Sequence, residues 1–150
     1  MGVPVKLLAA CAFLLGSACA PLTYSEEGAI DFETYSSVRV SVTSTTFTGD
    51  GSEYLAGELE NSSGFDTVTL DSATSVDAVL SVTLSVTFLP TVDDQGNSED
   101  HYDATASYTL TAGSTRVDSG SANASAPTDL EAAEGALDGV AAHYVAPYRL

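Results

Sequence analysis

Apolar and polar residues alternate most regularly between Ala78 and Phe88. Ala78, Leu80, Val82, Leu84, Val86 and Phe88 share one face, while Ser81, Thr83, Ser85 and Thr87 share the other. A period of two residues marks a strand with one dry face and one wet face. Pro90 is expected to end it, and Thr91 to Asp100 reads as a polar, acidic connection. The same alternation places a first strand around Val38, Val40 and Val42 and a fourth through Tyr102, Ala104, Ala106, Tyr108 and Leu110. Phe65 to Leu70 predicts a short second strand. Ala112-Gly113-Ser114 predicts a tight turn, after which Thr115 to Ala124 pairs back as a fifth strand. That last strand is poor in large apolar groups and is expected near an edge. Ile30, Phe32 and Tyr35 stand at the entrance to the domain.

The period becomes helical in two places. Asp50 with Glu53 forms a capping box before Tyr54, Leu55 and Leu59, and Asn61-Ser62-Ser63-Gly64 closes that helix with Gly64 as a left-handed stop. Thr128 with Glu131 forms a second box, and Asp129 suits a helix N-terminus. Leu130, Ala133, Leu137, Val140, Ala141 and Tyr144 then fall on one face, and Pro147 is the expected stop. The predicted order is β-α-β-β-β-β-α. Strands with one dry face need a cover, and two amphipathic helices supply it. The expectation is an α+β two-layer sandwich, a mostly antiparallel sheet covered by two helices. Its first strand–helix–strand unit is expected to be a parallel crossover.

The N-terminus departs from both periods. Lys6 precedes an unbroken apolar run, Leu7 to Ala18, that ends in small residues. This is the plan of a secretory signal peptide, and the run is short of the about 20 residues a membrane-spanning helix needs. Two cuts compete. Ala18 and Ala20 flank Cys19 as an ordinary signal peptidase prefers, but Pro21 would then be the first mature residue, which that enzyme disfavours. The alternative lies in Ser17-Ala18-Cys19, which resembles the end of the lipobox of bacterial lipoproteins, with Gly16 where that family usually has leucine. That resemblance implies a diacylglycerol on the Cys19 thiol and Cys19 as the mature N-terminus. The expected division is 1–18 as signal, 19–28 as acylated cysteine and tether, and 29–150 as one domain. Cys11 is the other cysteine and lies inside the signal, so no disulfide is available to the domain.

Charge narrows the partners. All 21 acidic residues follow Cys19, against Arg39, Arg116 and Arg149, in a chain of formal net charge -17. Nothing could neutralise a phosphate backbone, so nucleic acid is excluded, as is docking on anionic lipid by charge. Two readings of the acidity remain. One is a cation or a basic partner. The other is a saline habitat, where salt screens self-repulsion. The acids are dispersed along the chain, which favours habitat and predicts a melting temperature that climbs from low to molar salt. A flat salt dependence would contradict it.

Candidate chemistry is sparse. The densest acidic stretch runs from Asp93 to Asp103, and Asp93, Asp94, Asp100 and Asp103 are its weak metal candidates. Calcium takes about six to eight oxygens, but Gly96 comes too early for an EF-hand loop and the stretch reads first as a solvated hairpin tip. His101 is expected on a wet face. His143 sits where a histidine favours a helix C-terminus. No nucleophile elbow, phosphate loop or His-Glu-x-x-His is present. No enzyme and no cofactor are expected beyond the covalent acyl lipid.

The lipobox-like signal, the tether and this order of elements resemble small bacterial outer-membrane lipoproteins. Asp31-Phe32-x-x-Tyr35 before the first strand looks like the entrance of a lipoprotein family of unknown function. The order is similar to that of LptE-like helix-on-sheet lipoproteins of lipopolysaccharide assembly. Those use basic residues for lipopolysaccharide, which this chain lacks. Ala20 after Cys19 implies, by the sorting rule of enteric lipoproteins, the outer membrane rather than the inner one, and the domain is expected to face the periplasm. The alternative to that anchor, with the ordinary signal-peptidase cut, is a free periplasmic or secreted protein. The function expected is a tethered, non-catalytic interaction, assembly or structural domain with a periplasmic or outer-membrane protein partner. The rival is an exported module binding calcium or a small solute at the acidic loop.

Overall fold

The computed structural model describes residues 30–47 and 49–145. Among these the order is β1 (Ser37–Ser44), α1 (Gly51–Ser62), β2 (Thr67–Thr69), β3 (Ala78–Val92), β4 (Ser98–Ala112), β5 (Thr115–Ala126) and α2 (Asp129–His143). This is the predicted α+β order. The five strands form one sheet in the order β2-β1-β3-β4-β5. It is mixed: β1 runs parallel to both β2 and β3, and the longer β3–β4 and β4–β5 ladders are antiparallel.

The dry faces point to the helices. Val38, Val40, Leu80, Val82, Leu84, Ala104, Ala106 and Leu110 are buried on one side of the sheet, against Leu55 and Leu59 of α1 and Ala133, Ala136, Leu137 and Val140 of α2. Each such leucine removed from water is worth about 1.5–3 kcal/mol. The N-cap half of each predicted capping box forms. The Asp50 carboxylate accepts from the Glu53 amide at 3.0 Å, and Thr128 Oγ1 from the Glu131 amide at 3.1 Å. The first turn of α1 is also tied to β1, because Ser52 Oγ accepts from the Val42 amide at 2.8 Å. The helices are joined by the Tyr54 hydroxyl, which donates to Asp138 Oδ1 at 2.8 Å.

The link from β2 to β3 has to pass β1, since β1 lies between them. Arg39 shows the route. Its neighbours Val38 and Val40 face the helices, so Arg39 faces the other way, and its guanidinium donates to the carbonyls of Ser72 and Thr74 at 3.2 and 3.0 Å. The link therefore crosses β1 on the helix-free face, held by Arg39. Asp77 completes the crossing. Its carboxylate accepts from the Ser36 and Ser37 amides at 3.1 Å, which aligns the start of β3 with that of β1. Those hydrogen bonds, that from the Ser37 amide foremost, hold its carboxyl below the usual aspartate range.

Four expectations need correction. Gly64 is not a left-handed stop: the positive-φ glycines among the described residues are Gly96 and Gly113. The helix ends at Ser63 in extended geometry, and Gly64 is small for another reason, since a Cβ there would lie 2.6 Å from the Phe32 ring. Pro90 does not end β3, which continues to Val92 opposite Ser98. The β1 ladder stops at Leu84, so Pro90 sits where β3 has one neighbour and a missing amide is tolerated. The connection read from Thr91 to Asp100 is thereby reduced to the turn 93–97. Leu130, placed on the buried face of α2, is 50% exposed. Pro147 and Tyr148 lie outside the described residues.

Candidate functional site

The chemistry-bearing side chains that the fold brings together are on β5 and the end of α2. Along β5 the helix-facing positions are Asp118, Gly120, Ala122 and Ala124, paired with Leu110, Tyr108, Ala106 and Ala104 of β4. Asp118 is thus an acid on a dry face. Its Oδ2 accepts from the Tyr144 hydroxyl at 2.9 Å and lies 2.7 Å from His143 Nε2. A carboxylate only accepts, so the imidazole donates from Nε2. His143 closes the last turn of α2, and Tyr144 is its C-cap.

The surroundings are aromatic. Tyr144 is fully buried, with ring centroids 5.9 Å from Tyr108, 5.7 Å from Phe65 and 4.8 Å from His143. Phe65 in turn meets Phe32 edge-on at 5.1 Å. A row of rings therefore runs from the start of the described chain to β5, at the end of the sheet where β1 and β3 begin. Burial, then the bond to Asp118 and its charge, raise the Tyr144 hydroxyl well above the ordinary tyrosine range, so it remains a donor at any physiological pH. Burial and then the charge of Asp118 also raise Tyr108. Among the described residues Asp118 is the side chain hydrogen-bonded to His143. With its imidazole and its carboxylate spent on each other and on Tyr144, the cluster is a clasp that fixes α2 on β5.

Sequence reasoning placed His143 at the helix end but missed its partner. A signal was available: Asp118 is the one charge on a strand face otherwise made of glycine and alanine, and such an acid needs donors.

The acidic loop has a different geometry. The Asp93 carboxylate accepts from the Gln95 and Asn97 amides at 2.9 and 2.8 Å and from Asn97 Nδ2 at 3.1 Å, and Gly96 takes φ +87°. These bonds, led by that from the Asn97 amide, hold the Asp93 carboxyl below its usual range. Asp93 builds the turn, and Asp94 stands exposed beside it. Asp100 lies opposite Pro90 and Asp103 opposite Thr87. Being three residues apart on one strand, they face opposite sides of the sheet. Asp103 accepts from Ser125 Oγ at 2.5 Å and stands 3.6 Å from His101 Nε2. Among the described residues no three His, Cys, Asp or Glu side chains gather to hold a metal ion. Cys19 lies outside the described residues.

The helix-free face of the sheet carries hydroxyls in rows, with Ser81, Thr83 and Ser85 beside Thr109, Ser107 and Thr105. It is wet, as the alternation predicts.

No protein-family model matches this chain, and no curated protein matches it. Solved structures that it is similar to are bacterial lipoproteins. One is a minor lipoprotein from Acinetobacter baumannii, at 12% identity and TM-score 0.42 over 72% of this chain and 86% of that one. Another is the rare lipoprotein B from Shewanella oneidensis, at 14% identity and TM-score 0.35 over 69% of this chain and 83% of that one. A third is described as a lipoprotein from Caulobacter crescentus CB15, at 12% identity and TM-score 0.30 over 71% of this chain and 79% of that one.

Proposed function

We propose that this chain is an exported lipoprotein whose domain serves as a non-catalytic interaction or assembly module in the cell envelope. The observation that carries the reading is the apolar run Leu7 to Ala18 ending in Ser17-Ala18-Cys19. Cys19 receives a diacylglycerol on its thiol and becomes the mature N-terminus. A single acyl chain binds membranes only marginally, and stable anchoring takes two signals, which two or more chains on one residue provide. Ala20 to Gly28 spaces the domain from the bilayer, at the periplasmic side of the outer membrane. The polar clusters support a non-catalytic role. Asp118 and His143 hold a helix, Asp93 holds a turn and Asp77 holds a crossing.

The test is mass spectrometry of the mature N-terminus from a membrane fraction. The expected product begins at Cys19 and carries the mass of a diacylglycerol. Cys19→Ser is expected to abolish that modification and leave the chain unprocessed. A mature chain beginning at Pro21, unmodified and soluble, would overturn the proposal.

A further inference from the structure

The β3–β4 hairpin outruns the rest of the sheet. The β1 ladder stops at Leu84, and the β5 ladder stops at Tyr102, which pairs with Phe88 of β3. Beyond that row the two strands continue alone from Leu89 to Val92 and from Ser98 to His101. Four more residues make a ribbon about 13 Å long. A two-stranded ribbon is marginal in water by itself. This one also carries apolar groups in the open. Phe88 is 46% exposed with its ring 5.1 Å from Tyr102, and Val92 is 67% exposed. Both continue the face that lower in β3 is covered by helices. Leu130, in the first turn of α2 just after β5 ends at Ala126, is 50% exposed at the same end.

The charge around these groups is of one sign. Asp94, Asp100, Asp129 and Glu131 are all exposed there. The two described arginines are at the far end of the sheet, where Arg39 pairs with Val79 and Arg116 with Thr111, itself the partner of Val79. Apolar anchors inside an acidic rim are complementary to a segment with apolar residues between lysines and arginines.

We infer that the projecting β3–β4 ribbon and the first turn of α2 form a docking surface for a basic, amphipathic segment of another protein. The tether of this chain is a poor occupant, because it carries Glu26 and Glu27 and no base. A second copy is a poor occupant, because it would bring the same formal net charge of -17 to an acidic rim. The inference rests on the reading of the domain as an interaction module and is independent of the anchor.

The probe is a labelled synthetic peptide of leucine and lysine at helical spacing, added to the mature chain in the lowest salt that gives a cooperative melt. Saturable binding is expected. Phe88→Ser/Val92→Ser should weaken it at least tenfold, as should Asp94→Asn/Asp100→Asn, while Ser81→Ala on the opposite face should not. Melting curves establish that each variant is folded. A serine–lysine peptide that binds as tightly would reduce the surface to charge and overturn the inference. So would undiminished binding by Phe88→Ser/Val92→Ser, or no binding at all. Self-association abolished by Phe88→Ser/Val92→Ser would assign the surface to a second copy instead. None of these outcomes alters the N-terminal mass, which tests the anchor separately.

Discussion

Replacing Tyr144 with alanine is expected to remove about 3–5 kcal/mol of folding stability, the range for deleting a large buried aromatic ring. For a domain of this size that is a fall in melting temperature of roughly 10–20 °C. The position justifies the upper part of the range. Tyr144 is fully buried and its ring meets Phe65 and Tyr108 from two other segments, besides its neighbour His143. Its carbonyl accepts from the Gly64 amide at 3.1 Å, so its backbone also joins the end of α1. Its hydroxyl supplies one of the two donors that make Asp118 tolerable on a dry face. Tyr144→Phe separates the two roles. The ring stays and one hydrogen bond to a charged group goes, a loss of about 1.5–3 kcal/mol. On an Asp118→Asn background that loss should shrink, because the acceptor is no longer charged. A Tyr144→Ala variant that melted within a few degrees of the parent would mean that α2 is held by its aliphatic face alone.

How much of this was legible in the sequence divides by range. The two helix N-caps, Asp50 and Thr128, and the alternation from Ala78 to Phe88 are rules of a few neighbouring residues, and they appear where the pattern puts them. The far half of the β3–β4 hairpin has the sequence of a connection, because Ser98, Glu99, Asp100 and His101 offer no apolar alternation. What makes them a strand is the Asp93 turn, which folds them back onto β3 with Gly96 in the left-handed region. Phe65, in a stretch that alternates like a strand, is a core ring beneath the entrance, leaving β2 only Thr67 to Thr69. The clasp was out of reach for a different reason. Asp118 and His143 are 25 residues apart, and only the docking of α2 across β5 makes them neighbours.

The smallness of β5 was legible as a fact, and the structure supplies its cause. Gly135 and Gly139 of α2 lie one turn apart over Ala124 and Ala122. A Cβ at Gly139 would stand 2.7 Å from that of Ala122, and one at Gly135 would stand 2.8 Å from that of Ala124. Helix propensity and packing therefore pull in opposite directions. In an ordinary helix interior, glycine to alanine stabilises by about 1 kcal/mol. Here each new methyl meets a Cβ fixed to a strand, so α2 or β5 must move as a body, and overpacking costs about 1–3 kcal/mol. The sum predicts that Gly139→Ala destabilises by about 1 kcal/mol net, and that Gly135→Ala/Gly139→Ala destabilises further, with a melting temperature lower by several degrees. Loosening at that seam would also move His143 and Tyr144 away from Asp118, since the same helix carries them. Ala122→Gly on the Gly139→Ala background opens the space again. The two changes should therefore be less harmful together than their separate costs imply, with a coupling of about 0.5 kcal/mol or more in a double-mutant cycle. Were Gly139→Ala to stabilise the domain, propensity would have won, and the close approach of α2 to β5 would not be what keeps the strand's residues small.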